Sequence, residues 1–513
     1  MSLPAHRALS EVFGPRLLID ADRRRPYETP ERGAPGYCAA VILVQTQDEV
    51  QQALQVANTE GLRYVLSAGR TGLVEAQRPQ GEIVLSLERL RRVLGFELAD
   101  GRRCDLDTAD IDAASVRLLT WWTALGQPDL SGSTITAEAG LAVDALNQVL
   151  GAVGRMFPME MGSTASASIG ACVANASAGA NAVCYGTAAH MATAARGYWG
   201  DASATGPWAA PQWVAPAADR LAIDSMRLPA DWGLVGSQGV FGVITEVTLR
   251  TQAIPRAREG VLLAVSGMPQ AMDILSRARP VFGADIEEFE FLSRSAMQLV
   301  LRRKGDDLRL PFDPIPTSPY LVLLQVRQKM ADDTLAERLY EFCSGVAGLA
   351  DPDIGYAPLP VLKKLRHSVT EASNLETRAL GAGRLSFDTA TPLVRFGAYL
   401  QHLAESLREL RPDLQLIDFG HAGVGGAHLH LIGGAGRPLA EDAAELTRRV
   451  IDITLQAGGT FSAEHGVGPK WALEVLARTP RAQLQEWAAR KRRHDPALVL
   501  QARSFGFDRL LAA

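Results

Sequence analysis

The chain has 513 residues, with 52 Lys+Arg against 57 Asp+Glu, 47 % hydrophobic and 6 % aromatic residues, the profile of an ordinary globular protein. Disorder, collagen-like repeats and a coiled-coil rod are excluded, and a net charge of -5 without a dense Lys/Arg stripe argues against a nucleic-acid partner. At about 150 residues per domain, the length suggests two or three cores.

The N-terminal MSLPAHRALSEVFGPRLLIDADRRRP has no continuous apolar stretch of the signal-peptide kind, and no later run reaches the roughly 18 uncharged apolar residues of a membrane helix. AAVILVQ (39–45) reads as a buried strand. Thr46 and Glu49 then have capping-box spacing, Val50, Ala53, Leu54 and Ala57 recur at helical spacing, and Gly61 closes the helix. RYVLS starts a second strand at Arg63, SAGRTGLVEAQRP (67–79) is a small-residue loop, and EIVLSL is a strand. The stretch from Pro158 to Gly186 has almost no charge and few large side chains, so its backbone is expected to lie close to something else. GLVGSQGVFGVITEVTLRT (233–251) passes from a glycine turn into an alternating strand. Three separated loops of this kind suggest a long ligand held mainly by backbone N–H groups, as a dinucleotide pyrophosphate is. From about Ile254 to 455, strand patterns such as YLVLLQV alternate with helical ones such as PLVRFGAYLQHLAESLREL, the texture of a second, α/β-type domain. The remainder opens with GGTFSAEHGVGPKW and ends in helical, charged sequence, where Arg490, Lys491, Arg492 and Arg493 read as a solvated helix face.

In GHAGVGGAHLHLIGG (420–434), His421 and His428 stand seven apart. On an unbroken strand that odd spacing sends the rings to opposite faces, but Gly423, Gly425 and Gly426 allow a turn that brings both to one point. His428 and His430 alternate with Leu429 and Leu431 and share a strand face. Such imidazoles suit a metal site completed by a carboxylate from elsewhere, and equally a set of hydrogen-bonded core histidines. SAEHG (462–466) offers Glu464 as that carboxylate, with His465 beside it as a general base that does not bind the metal. Arg366 and Thr370, four apart on an expected helix, share a face on which a guanidinium can clamp a carboxylate and a hydroxyl can support it.

In this order the motifs resemble the FAD-linked D-2-hydroxyacid dehydrogenases of the vanillyl-alcohol-oxidase/PCMH flavoprotein superfamily, from about residue 37 to the C-terminus. The resemblance implies an α+β protein: a PCMH-type FAD-binding domain (1–255), an α/β substrate or cap domain (256–455), and a small, mostly helical C-terminal unit (456–513) returning to the active site. It implies FAD held by Ala68, Gly69, Arg70, Thr71, Gly72 and Leu73, and by Gly162, Ser163, Ser166, Ile169 and Gly170. Asn175, Gly179, Tyr185 and Gly186 follow, then Gly239, Gly242, Val243 and Ile244. No histidine or cysteine stands in the N-terminal loop where a covalent flavin link is often made, so the FAD is expected to be noncovalent. By the same resemblance His421, His428 and Glu464 hold a divalent metal, zinc above all, and His465 is the catalytic base. Arg366 and Thr370 take the substrate carboxylate, His430 reaches substrate or metal, and Arg384 substitutes for a family lysine that is missing at Ser386. The implied reaction converts a D-2-hydroxy acid, of the 2-hydroxyglutarate or lactate type, into the 2-oxo acid by hydride transfer to flavin N5. A quinone, an electron-transfer flavoprotein or a cytochrome would then take the electrons.

Three departures stand out. Val424 and Gly426 replace a family Asp and Asn, removing hydrogen bonds that would orient the histidines. Glu75-Ala76 replaces paired glycines, and an inward Glu75 would repel a phosphate. Residues 101–132, with Trp121 and Trp122, look like an insertion between two strands. They leave room for two rivals, a metal-independent flavin oxidase of another alcohol and an FAD-binding subunit of a larger redox complex. Five cysteines without a CxxC pair suggest a reducing compartment. The expectation is a cytoplasmic protein, with peripheral membrane contact and a homodimer left open.

Overall fold

The computed structural model describes residues 2–305, 308–328, 334–346, 348–434 and 437–512. The helix Gln47–Glu60 starts where Thr46 Oγ1 accepts the Glu49 N–H at 3.2 Å, and ends at Gly61 in the left-handed region, φ +64°. The reciprocal half of the capping box is replaced: Glu49 accepts from the Gln45 N–H at 2.7 Å and pairs with Arg16. Val50, Ala53, Leu54 and Ala57 are buried with Ile42, Tyr64 and Leu85 in one cluster. Three of those residues come from the parallel strands Val41–Leu43, Ile83–Ser86 and Tyr64–Ser67.

A six-stranded antiparallel sheet follows, in the order Ala204–Trp208, Ala192–Trp199, Gly242–Arg250, Thr134–Glu138, Val93–Glu97 and Arg103–Thr108. The segment 101–132 is an integral part of it. Arg103–Thr108 is the edge strand, and the helix Ile111–Ala124 buries Ala114 and Leu118 in the core shared with Leu146 and Val149. Trp121 meets the Phe96 ring edge-on at 6.3 Å, and Trp122 Nε1 donates to the Pro128 carbonyl at 3.0 Å.

The second half is built on a seven-stranded sheet. Its order is Ile354–Gly355, Ala257–Val265, Tyr320–Gln328, Ile286–Ser293, Gln415–Gly420, Gly426–Ile432 and Arg384–Ala390. Helices and strands alternate along this part as expected, and every pairing is antiparallel. The buried strand IEEFEFLS places Phe289 and Phe291 in the core, while Glu288 and Glu290 face a cavity on the other side.

The C-terminal helices fold back onto the first half. Leu500 bridges Tyr64, and the Tyr64 N–H donates to the Val499 carbonyl at 2.6 Å. Half of the basic cluster is structural here. Lys491 is fully buried, ion-paired to Asp495 at 2.6 Å and bonded to the carbonyls of Leu500 and Val240. Arg490 donates to the carbonyls of Leu228, Pro229 and Gly233, so only Arg492 and Arg493 form an exposed face. Among the described residues, no helix is long and apolar enough to cross a membrane.

Candidate active site

A cavity of about 760 Å³ lies between the small-residue loops of the first half and the seven-stranded sheet of the second. Its first wall includes the residues from Ala68 to Leu73, Gly162, Ser163, Ser166, Gly170, Asn175, Gly179, Gly239, Gly242, Val243 and Ile244. Small side chains let two loops press together here: a Cβ on Gly69 would sit 1.9 Å from the Ser166 carbonyl oxygen. Arg70, at φ +58°, is turned onto Glu88 at 2.6 Å and over the Tyr27 ring. Glu75 points away from the cavity, onto Arg78 at 2.7 Å, so no carboxylate of this loop repels an anion there.

Three expected cofactor residues do not reach this wall. Ile169 is fully buried in the core. The Tyr185 hydroxyl turns to Glu287 at 3.3 Å, and its ring carries the Arg327 guanidinium at 4.6 Å. Gly186, at φ +74°, is packed against Trp213, whose ring a Cβ would approach to 2.6 Å. These residues hold the loop from behind.

At the other end, the strands Gln415–Gly420 and Gly426–Ile432 form a hairpin. Gly425, at φ +71°, makes the turn within it, where a Cβ would lie 2.1 Å from the Thr391 carbonyl oxygen. The turn converges His421 and His428: their Nε2 atoms are 3.2 Å apart. Glu464 Oε1 lies 3.3 Å from the first and 3.2 Å from the second. A tetrahedral ion with bonds of about 2.0–2.1 Å has ligands about 3.3–3.4 Å apart, so this triangle fits one face of such a site. Glu464 Oε2 is buried without a hydrogen-bond partner, a further sign that the carboxylate is shaped for a cation. A wider group of ligand atoms from Asp388, His428, Glu464 and His465 lies within 4.8 Å. Asp388, however, is committed to the backbone, accepting the N–H groups of Glu464 at 2.9 Å and His465 at 2.8 Å.

The orienting hydrogen bonds that Val424 and Gly426 cannot make come partly from Glu290, whose Oε1 lies 2.6 Å from His421 Nδ1. Burial alone would raise the Glu290 pKa, but His421 and Arg366 outweigh it and hold the carboxyl at about 2. Burial would likewise lower the His421 pKa, yet Glu290 and Glu464 raise it to about 10. Glu464 itself lies well below the ordinary carboxylate range, because His421 and His428 outweigh its burial. His465 stacks on His428 with centroids 5.3 Å apart, and burial lowers its pKa towards a neutral ring.

The expected carboxylate clamp is altered. Arg366 lies in the last turn of the helix Leu359–His367 and Thr370 in the first turn of Val369–Leu380, so the expected single helix is two helices, and both residues reach the cavity across the junction at Ser368. Arg366 Nε is already bonded to Glu290 at 2.7 Å, and its guanidinium lies over Phe419. His430 lines the cavity with Nδ1 2.9 Å from Ser373 Oγ. Arg384 stands outside the immediate wall. The ammonium missing at Ser386 is supplied from elsewhere, because Lys470 Nζ donates to the Ser386 carbonyl at 2.8 Å. Glu290, Lys470 and Arg32 also line the cavity and are not among the residues expected from the sequence. The only trace of Glu290 there is the run of glutamates in an otherwise apolar strand.

The sequence relationships agree with this geometry. Residues 38–104 and 109–201 match the FAD binding domain, and residues 254–503 match the C-terminal domain of FAD linked oxidases. The chain belongs to the FAD-linked oxidase family and is an FAD-linked oxidoreductase. Of the segment read as an insertion, residues 105–108 lie between the two matched stretches, and the match resumes at 109. The chain is 25 % identical to D-2-hydroxyglutarate dehydrogenase of Xanthomonas citri pv. viticola, over 84 % of this chain and 81 % of that protein. It is also 25 % identical to the mitochondrial D-2-hydroxyglutarate dehydrogenase of Bos taurus, over 96 % and 81 %. The fold matches the crystal structure of p-cresol methylhydroxylase with substrate bound, with a TM-score of 0.67 at 12 % identity over 98 % of this chain and 96 % of that one.

Proposed function

We propose that this protein is an FAD-dependent dehydrogenase that oxidises a D-2-hydroxy acid, of the 2-hydroxyglutarate or lactate type, to the 2-oxo acid. The observation that carries the reading is the triangle of His421, His428 and Glu464, with His465 beside it, at the far end of a cavity walled by FAD-family loops. In this reading His421, His428 and Glu464 hold a divalent metal, zinc being suited to such nitrogen and oxygen donors. A metal held there would supply the positive charge that makes a C2 hydroxyl more acidic, and FAD held by the loops would supply the acceptor for a hydride equivalent. Arg366 binds the α-carboxylate through its Nη atoms, since Nε is committed to Glu290, and the Thr370 hydroxyl supports it. His465 takes the hydroxyl proton, and Asp388 holds the loop that presents it.

The test is anaerobic flavin bleaching with matched D- and L-2-hydroxy acids, before and after metal removal and zinc restoration. Bleaching by a D-acid that is lost with the metal and regained with it is the expected result. His465→Ala should keep its FAD and lose about 10²–10⁴-fold in the rate of flavin reduction; an unchanged rate would remove His465 from the mechanism. A metal-independent flavin oxidase is the second reading, favoured by the placement of the His421 ring between Glu290 and Glu464, which balances its charge without an ion. Bleaching that persists after complete metal removal would select it.

A further inference from the structure

The loop that carries Glu464 and His465 is held from two sides. From the seven-stranded sheet, Asp388 takes three of its backbone donors. The Ala463 N–H reaches the Asp388 carbonyl at 3.2 Å, and the Glu464 and His465 N–H groups reach its carboxylate. His421 and His428 belong to the hairpin of the same sheet, so the metal triangle and its support move as one body. That support fixes the loop against the sheet; its distance from the FAD-loop wall needs a second tie. Gly468, beyond the loop, packs on Val74 of that wall, but the tie that grips the loop itself is Gln238.

The two partners of the buried Gln238 side chain demand an amide. Nε2 donates to the Ser225 carbonyl at 2.5 Å, and Oε1 accepts the Val467 N–H at 2.8 Å. Ser225 in turn donates its N–H to the carbonyls of Ser462 at 3.0 Å and Ala463 at 3.1 Å, and its hydroxyl to the Ala463 carbonyl at 3.0 Å. Gln238 thus holds the chain on both sides of Glu464 and His465, directly at Val467 and through Ser225 at Ser462 and Ala463. Its backbone belongs to the opposite wall: the Gln238 N–H donates to the Ala174 carbonyl at 2.8 Å, and the wall residue Gly239 follows it. Gln238 stands at φ +53°, in the left-handed region that favours glycine, and such a conformation persists only where the surroundings fix it.

We propose that Gln238 is a positioning residue, whose amide sets the spacing between the FAD loops and the loop that presents Glu464 and His465. It acts through Val467 and Ser225 rather than on the substrate itself. This rests on the 2-hydroxy acid reading for the reaction that the spacing serves, but the brace is a property of the two hydrogen bonds. Because the metal triangle is supported from the sheet, loss of the brace leaves the triangle whole and shifts it, with His465, relative to the flavin.

The experiment compares the wild type with Gln238→Met and Gln238→Glu, each as the FAD- and zinc-loaded full chain. Methionine keeps the length without either bond, and glutamate keeps the acceptor for Val467 but sets an oxygen against the Ser225 carbonyl. With D-2-hydroxyglutarate or D-lactate, both variants should lose about 10²-fold in the limiting rate of flavin reduction, the cost of a misplacement on the order of 1 Å. The half-saturating concentration should stay near the wild-type value, since Arg366 and Thr370 are untouched. Flavin content, and zinc affinity in a chelator competition, should also hold, whereas the amides of residues 462–467 should exchange with deuterium faster. Wild-type rate and wild-type exchange in both variants would overturn the proposal. So would a joint loss of flavin, zinc and stability, which marks a merely structural residue, or a loss of flavin at unchanged loop exchange, which marks a cofactor-wall residue. Should both variants fail to fold, Ser225→Ala removes only the hydroxyl bond to Ala463 and must show the same split in smaller measure; its absence overturns the proposal. If neither acid bleaches the wild type, the reaction is discarded and loop exchange alone decides the brace, faster exchange keeping it and unchanged exchange removing it.

Discussion

The two ends of the cavity are built from different material. The loop end is mostly backbone, with small residues that let chain segments lie against each other, as Gly69 does against Ser166. The sheet end is side chain, with charged groups brought together from positions far apart, such as Glu290 and His421 at a separation of 131 residues. A backbone-built surface tolerates few substitutions locally, because an added methyl has nowhere to go. A side-chain surface tolerates replacement when another segment supplies the same charge, as Lys470 does beside Ser386.

That contrast breaks first at Gly69. Gly69→Ala puts a methyl 1.9 Å from the Ser166 carbonyl oxygen, so the loop must move and most bound flavin should be lost, as read from the absorbance of the purified protein. Retention of full flavin content would show that the loop end is as forgiving as the sheet end. The next largest effect is expected from Val424→Asp. The resemblance makes this look like a repair, but Val424 is buried among Ala178, Ala182, Ile223, Ala390 and Ala463. A carboxylate there has no partner and should destabilise the protein by about 3–5 kcal/mol in denaturant unfolding. A gain in metal affinity at unchanged stability would refute this reading of the cluster.

Glu290→Gln sharpens the comparison at the sheet end. It keeps the shape and removes the charge behind His421, so metal affinity should fall by about 10–100-fold in a chelator competition. If affinity is unchanged, Glu290 serves only Arg366, and the histidines orient themselves.

What was legible in the sequence follows the same division. The three loops were visible because small residues must occupy consecutive positions where backbones approach. The convergence of His421 and His428 was visible because the glycines that permit the turn lie between them. Glu290 and Lys470 were not, since each acts on a group far away in sequence and no local spacing records the partner. Lys491 shows the same limit: in sequence it is one of four adjacent basic residues, and only the packing of Asp495, Val240 and Leu500 around it marks it as a core residue. The segment 101–132 looks like an insertion in the sequence because an edge strand and its helix lie outside the motifs, although their side chains complete the sheet and its core.

Tyr185 gives the smallest and most discriminating effect. Motif position alone assigns it to the cofactor wall, whereas its hydroxyl faces Glu287 and its ring carries Arg327, across the contact between the loops and the seven-stranded sheet. Tyr185→Phe keeps the ring and removes only the hydroxyl, so stability should fall by about 0.5–1.5 kcal/mol while flavin content stays at the wild-type level. A selective loss of flavin at unchanged stability would return Tyr185 to the cofactor site. The expected result would make it a strut between the two halves, transmitting the position of the backbone-built end to the strand that carries Glu288 and Glu290.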